Sequence, residues 1–367
     1  MGDLKLSPEV LAALAIPAGV TAFPVIDRQQ WLALRKRAVT ASAAAALFGV
    51  HPYQSAYWLW ALKAGVVTED GVENPAMRRG RLLEPIALQM VREDYPDWSV
   101  QACGKYYSET ATRLGATPDA IAIRPGFEGF GVVQVKTAGH FAFKKGWRGM
   151  DGDVEIPLWI AVQASIEAAL TGASWACVAV MALGDGGLDL YVEDVPLRPA
   201  LMARLRALVA DFWRRVDEND PYAPDFGKDA ALIARIYSEA DEGAEVDLSS
   251  NNRIGELLDA REALKARETD GAFAAKARKP IDAEIIHALG NAARGRLADG
   301  RVVEAKVTRR GGFTVEPTSF RTVKVKESSH ERAHSIQATN HVVPFSGTEP
   351  ARGRGRKPAA RSFDGPF

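Results

Sequence analysis

Residues 114–137, LGATPDAIAIRPGFEGFGVVQVKT, leave the chain few ways to fold. Asp119 follows a Thr-Pro turn. A short apolar run over 120–123 leads into a Gly-rich turn over 125–131, and a second apolar run carries Gln134 and Lys136. Residues two apart in a strand point to one face. Two strands joined by that turn, an acid on one and Gln-x-Lys on the other, converge on one small volume. A divalent metal and a water-activating lysine are assembled in this way for phosphodiester hydrolysis. A carboxylate is expected where Gln134 stands.

The rest of the chain bounds the setting of that stretch. Its 367 residues suit one large domain or two smaller ones. The 46 basic residues balance 46 acidic ones, which argues against a general nucleic-acid coat and leaves room for a local basic groove. Cys103 and Cys177 stand far apart, with no CxxC or Cys/His cluster, so a structural zinc or iron–sulfur site is not expected and a reducing compartment fits. The apolar run over 10–20 is short, contains Pro17 and has only Lys5 as a basic flank, so no signal peptide is expected. No apolar run approaches the ~20 residues that span a bilayer.

Ahead of the organising stretch, Trp31, Leu34 and Arg35 share one helix face. Val39 and Thr40 interrupt that helix, and Ser42 is expected to cap a second one running through Ala43 to Phe48 and stopping at Gly49. Two core helices with a surface arginine would explain these residues. A guanidinium fork beside a hydroxyl at a helix N-terminus also suits a phosphate. HPYQSAYWLWALKAG reads as a core helix between Ser55 and Gly65, and residues 66–76 as a loop. A long helix is expected to begin between Arg79 and Leu83, with Pro85 in its first turn and apolar residues around much of its circumference. Glu84 within it needs a partner: a metal, a lysine, or an ordinary salt bridge with Arg81 or Arg78.

Residues 99–109 read as one strand. Residues 138–155 form a connection carrying His140, Lys144, Lys145 and Arg148. IPLWIAVQASIEAALTG reads as a helix ending at Gly172, with Gln163 and Glu167 one turn apart on its polar face. A hairpin around 184–187 and an amphipathic helix ahead of Pro221 complete an α/β core of about 220 residues with a mostly antiparallel or mixed sheet. Beyond Asp225 come three helix candidates, the middle one placing Ile254, Leu257, Leu258 and Leu264 at coiled-coil-like spacing. Residues 301–326 alternate as a basic β-hairpin, and the polar, Gly/Pro/Arg-rich remainder reads as disordered.

WLALRKRAVTAS, GRLLEPIA, LGATPDAI, VVQVKT and IPLWIAVQASIEAALTG together resemble, in order and spacing, the YqaJ-like viral recombinase family of lambda-exonuclease type. That family lies within the PD-(D/E)XK nuclease superfamily, and the resemblance covers roughly residues 31–172. It implies a restriction-endonuclease-like α/β core with a central mixed sheet flanked by helices. The domain plan is then a lead-in over 1–25, a nuclease core over 26–225, a helical arm and basic β-hairpin over 226–326, and a disordered basic tail over 327–367. The final SFDGPF resembles the acidic Pro-Phe tip of bacterial single-strand-binding proteins.

The resemblance also implies roles. Asp119 is the metal-binding aspartate, and Gln134 falls where most members carry a second carboxylate ligand. Lys136 orients and deprotonates the attacking water, Glu84 reaches the metal shell, and Gln163 contacts the water or the lysine. Arg35, Ser42 and Thr117 form a 5′-phosphate pocket, and Met77 lies where an apolar wedge splits the end base pair. The metal shell is Asp119, Gln134, Glu84 and the backbone carbonyl of Val135, holding magnesium with manganese as a substitute. The function implied is a 5′→3′ exonuclease on double-stranded DNA ends, leaving 3′ single strands for a single-strand annealing partner in phage-type recombination. A homo-oligomer of trimeric-ring type and a phage or prophage product in a bacterial cytoplasm go with it. A neutral amide at Gln134 opens three outcomes: an active nuclease in which Glu84 compensates, a slower one demanding more metal, or a DNA-end-binding subunit without catalysis. An endonuclease on the same fold is a further alternative.

Overall fold

Alternation on either side of the 125–131 turn makes two strands, and these are the centre of the molecule. The computed structural model describes residues 16–68, 74–184, 186–267, 272–310 and 318–326. Strand β6 (Ala120–Ile123) pairs antiparallel with β7 (Gly131–Gly139), so that Ala120 opposes Val133. β7 then pairs parallel with β8 (Trp175–Gly184), placing Gln134 beside Val178 and Lys136 beside Val180. β3 (Ser99–Ala102) and β9 (Gly187–Asp194) add antiparallel edges, giving a mixed five-stranded sheet in the order β3-β6-β7-β8-β9. Gly131 is required at the hairpin mouth, since a Cβ there would meet the Trp175 ring at 2.1 Å.

Period-two alternation sends the two faces of this sheet to different helices. Val133, Val135, Cys177, Ala179 and Met181 pack against Ala87, Leu88 and Val91 of one helix (Pro75–Asp94). Val132, Val178 and Val180 pack against Ile160, Ala164 and Ala168 of another (Leu158–Thr171). With the helices numbered in chain order, these are α4 and α6. Preceding them are α1 (Arg28–Lys36), α2 (Ala41–Ala44) and α3 (Ala56–Lys63); α5 (His140–Gly146) lies between them. Gln134 and Lys136 share the parity of Val132, so the register alone aims both at α6. The outcome is the α/β core with a central mixed sheet flanked by helices that the sequence predicts.

Several local expectations change. α4 starts at Pro75, because the Asn74 side chain accepts from Met77 N at 2.8 Å and Pro75 needs no hydrogen-bond partner in the first turn. Pro85 therefore lies inside the helix. α4 is also less buried than expected: Leu82 is 52% and Ile86 45% exposed, because only one face meets the sheet. Residues 99–109 form two strands, β3 and β4 (Lys105–Glu109), split by Gly104 at φ 62° and placed in different sheets. The second half joins a four-stranded sheet in the order β1-β4-β5-β2, with β1 (Val20–Pro24), β2 (Val39–Thr40) and β5 (Leu114–Ala116). β1 forms in what reads as lead-in, pairing Val20 with Glu109. Ser42 lies inside the four-residue α2, which begins after Thr40, so it is not the cap; the turns beyond α2 end at Gly49.

Residues 199–326 complete the described structure. α7 (Pro199–Asp217) buries Leu205, Val209 and Phe212 in a core shared with Tyr57 and Trp60 of α3. α8 (Phe226–Ile236), α9 (Asn252–Arg267) and α10 (Ala272–Leu289) bring Leu232, Ile233, Ile254, Leu258 and Ile285 into that same core. α10 ends sooner than the sequence suggests, at Gly290 with φ 57°, and the chain turns into β11 (Ala292–Arg296). β11 pairs with β10 (Asp241–Asp247) and with the expected hairpin, β12 (Val302–Arg310) and β13 (Thr318–Lys326). Between the two regions, Ser55 Oγ, the N-cap of α3, lies 2.7 Å from both carboxylate oxygens of the fully buried Asp229. The start of the lead-in, the tail and its Pro-Phe tip lie outside the described residues. No described helix is long and apolar enough to cross a membrane.

Candidate active site

The site begins at Asp119, which sits one residue ahead of β6. Its Oδ2 accepts from the backbone N–H of Val135 at 2.7 Å and from the Gln134 side-chain amide. The same amide nitrogen donates to the Val135 carbonyl at 3.2 Å. Gln134 is 2% exposed, and its carbonyl oxygen accepts from Gln163 Nε2 at 3.0 Å. Gln163 Nε2 also donates to Glu167 Oε1 at 2.9 Å, while Gln163 Oε1 accepts from Lys136 Nζ at 3.0 Å. A continuous relay thus runs from Asp119 through Gln134 and Gln163 to Lys136 and Glu167. The Gln163–Glu167 face of α6 is polar yet buried, because it closes over the strand that carries Gln134.

Charge in this relay is held in check by burial. Desolvation pushes the Asp119 carboxyl up to about 6, opposed by Lys136 and by the two N–H donors. Glu84, on α4 and reached by the fields of Asp119 and Lys136, is pushed up to about 7, first by burial and then by Asp119. Glu167 is 1% exposed and is driven well above the usual carboxylate range by burial and then by Asp119. Among the described residues its Oε2 has no hydrogen-bond partner. Among the described residues, no three His, Cys, Asp or Glu side chains converge as a metal cluster. The oxygens at hand are two carboxylates and the Val135 carbonyl, a hard, all-oxygen set that fits magnesium or manganese rather than zinc.

Lys136 and Gln163 open into a cavity of about 720 Å3. Its walls also hold Arg35, Thr40, Ser42, Lys63, His51 and Trp159. The Arg35 guanidinium stacks over the Trp31 ring at 4.2 Å and donates to Ser42 Oγ at 3.4 Å; the Thr40 and Ser42 hydroxyls are 3.1 Å apart. Trp31 in turn donates to Thr117 Oγ1 at 3.1 Å, tying α1 to the loop before Asp119. Arg35 and Ser42 therefore meet in the cavity wall, while Thr117 is joined to them through Trp31. Met77 lines the same cavity and is 53% exposed. Arg148, on the connection after β7, is turned toward Tyr191 and the Gly152 carbonyl.

Sequence reasoning missed Thr40, His51 and Lys63. Thr40 is signalled by its place two residues before Ser42, and Lys63 by nothing local: its ammonium reaches the Arg35 carbonyl at 2.7 Å. His51 Nδ1 accepts from the backbone N–H of Tyr53 and Gln54 at 3.2 and 3.0 Å, which puts the ring proton on Nε2. Burial, with help from Lys228 and Lys136, holds this imidazole neutral down to about pH 4.

Comparison with known proteins falls on the stretch that carries the motifs. The family model described as the YqaJ-like viral recombinase domain matches residues 30–174. This stretch is similar to YqaJ-like viral recombinase domains. It holds Arg35, Ser42, Glu84, Thr117, Asp119, Gln134, Lys136 and Gln163, so every sequence-predicted site residue lies within it. Solved structures similar to the chain include an alkaline exonuclease (LHK-Exo) from Laribacter hongkongensis, at 22% identity and TM-score 0.41 over 52% of this chain and 94% of that one. LHK-Exo in complex with dAMP matches at 20% identity and TM-score 0.39, over 52% and 94%. No curated protein matches the chain significantly.

Proposed function

We propose that the YqaJ-like domain is a metal-dependent deoxyribonuclease acting on double-stranded DNA ends in phage-type recombination. It degrades the 5′-terminated strand and leaves a 3′ single strand for an annealing partner. The observation that carries this reading is the meeting, in one cavity wall, of the Lys136–Gln163 pair with the Arg35–Ser42 pair. One pair suits hydrolysis and the other suits a terminal phosphate. Asp119, Glu84 and the Val135 carbonyl would hold magnesium, with Gln134 beside them as a neutral fourth group. A bound divalent ion supplies charge neutralisation at the phosphate and acidifies water.

The chain's own residues supply the rest. Lys136, held by Gln163 with its remaining N–H groups toward the cavity, orients the attacking water and stabilises charge building on a phosphate oxygen. Arg35 and Ser42, with Thr40 beside them, receive the 5′-phosphate, whose anchoring makes the reaction directional from that end. The apolar and aromatic wall around Trp58, Leu62 and Trp159 excludes water from the strand being cut. Purified protein, magnesium and 5′-phosphorylated linear duplex should release nucleotides from the 5′ end, while the same duplex with 5′-hydroxyl ends is cut more slowly. No release at any magnesium or manganese concentration would defeat the reading. Covalently closed plasmid cut as readily as linear duplex would favour an endonuclease instead.

A second reading, a DNA-end-binding subunit without catalysis, is favoured by one observation: the Gln134 amide covers Asp119. It calls for end binding without cleavage, and for a Gln134→Glu variant that gains nuclease activity.

A further inference from the structure

The direction of the amide relay follows from its ends. Lys136 has only N–H groups, so Gln163 must present its oxygen there. Both Gln163 amide hydrogens then point away from the lysine, to Glu167 Oε1 and Gln134 Oε1. With its oxygen engaged, Gln134 must turn its NH2 to the other side. That NH2 meets Asp119 Oδ2 and the Val135 carbonyl together, the two oxygens on which a cation would rest. At the far end, the Val135 N–H fixes the same Asp119 oxygen as an acceptor. Each of the four amide hydrogens is used once. Turning either amide over would set N–H against the lysine or oxygen against the aspartate, inside a buried site where neither is tolerated.

The geometry points to Gln134 as an internal occupant of the metal seat: its amide NH2 stands in for the cation, and a divalent ion binds only by displacing it. This rests on the proposed metal-dependent function and assigns Gln134 a role opposite to that of a ligand. Glu167 is the positioning residue at the end of the relay. By accepting from Gln163 it holds the orientation that aims the Gln134 NH2 at Asp119.

The two roles for Gln134 give opposite signs in one experiment. Manganese is titrated calorimetrically, without DNA and at about pH 8, where Asp119 and Glu84 are ionised, into the full chain and its Gln134→Ala and Gln134→Glu variants. As an internal occupant, Gln134 weakens binding, so Gln134→Ala should bind manganese about tenfold more tightly than the parent, about 1.4 kcal/mol. Equal or weaker binding by Gln134→Ala overturns the inference. Gln134→Glu adds a carboxylate and should tighten binding under either role. If it does not, no metal sits here, and the proposed metal-dependent function fails instead. Should Gln134→Ala fold poorly, glutamine-selective 15N labelling of the parent replaces it. The Gln134 side-chain NH2 should lose its exchange protection on saturation with magnesium, and an NH2 signal that stays protected while calorimetry registers binding overturns the inference.

Discussion

Lys136 can only donate, Asp119 can only accept once ionised, and two glutamines must reconcile them across a strand and a helix. The chemistry of each residue in the relay is therefore exposed to single substitutions. Lys136→Met removes the donor facing the cavity; cleavage of 5′-phosphorylated duplex should fall by about 10²- to 10⁴-fold while end binding, read by a mobility shift, persists. Arg35→Ala should abolish the preference for 5′-phosphate over 5′-hydroxyl ends, a loss of about 1.5–3 kcal/mol if the guanidinium bonds the phosphate directly. The pH dependence follows from the raised carboxyls of Asp119 and Glu84. Protons and cations compete for the same oxygens, so metal affinity is full above about 7, where Glu84 and Asp119 are both ionised. It weakens as pH falls through about 7 and then about 6. Calorimetric titrations at about pH 8 and about pH 5.5 should show that order, and pH-independent affinity would argue against these two groups as ligands. At this scale the sequence was legible in part. Gln134 and Lys136 declare a shared face by their spacing, and Gln163 and Glu167 by theirs. The direction in which the amides point is not in any spacing, because it is set by a lysine and a helix that meet only after folding.

Elements were legible where local signals agreed. Ser55 caps α3 as its type suggests, accepting from Trp58 N at 2.9 Å, and Gly172 ends α6 at φ 80°. The β6–β7 and β8–β9 hairpins stand where alternation and glycine turns place them. Misreadings arose where a weak local signal was settled by a distant partner. β1 is strand because β4 offers it an edge, and β10, with Asp241, Glu242, Glu245 and Asp247, pairs parallel with β11 despite its charge. Asn74 and Pro75 are a helix start that reads equally well as loop. Ser55 carries the element-scale prediction, since its hydroxyl serves both the α3 cap and the buried Asp229. Ser55→Ala strips Asp229 of that donor, leaving the Asp225 N–H at 2.8 Å. It should cost on the order of 1–3 kcal/mol in urea unfolding; an unchanged midpoint would show that the Ser55–Asp229 contact is dispensable.

At the scale of the whole molecule, residues 226–326 share a hydrophobic core with the preceding α/β region: Leu232, Ile233, Ile254 and Ile285 pack with Tyr57, Trp60 and Phe212. A chain ended after Asp225 would expose the α3–α7 side of that core. It should express as an aggregating protein or unfold well below the full chain in a thermal scan, and a monodisperse, equally stable fragment would overturn that expectation. Sequence by itself determined the order of the motif residues and the faces they share, because those depend on short-range periodicity and on residue type. Tertiary structure decided which side of the Gln134 amide meets Asp119 and how α8–α10 close the core. It also decided that Arg35 and Lys136 face one cavity. Each of these depends on groups far apart in the chain, whose hydrogen bonds and apolar contacts exist only once strand β7, helix α6 and the C-terminal helices are packed together.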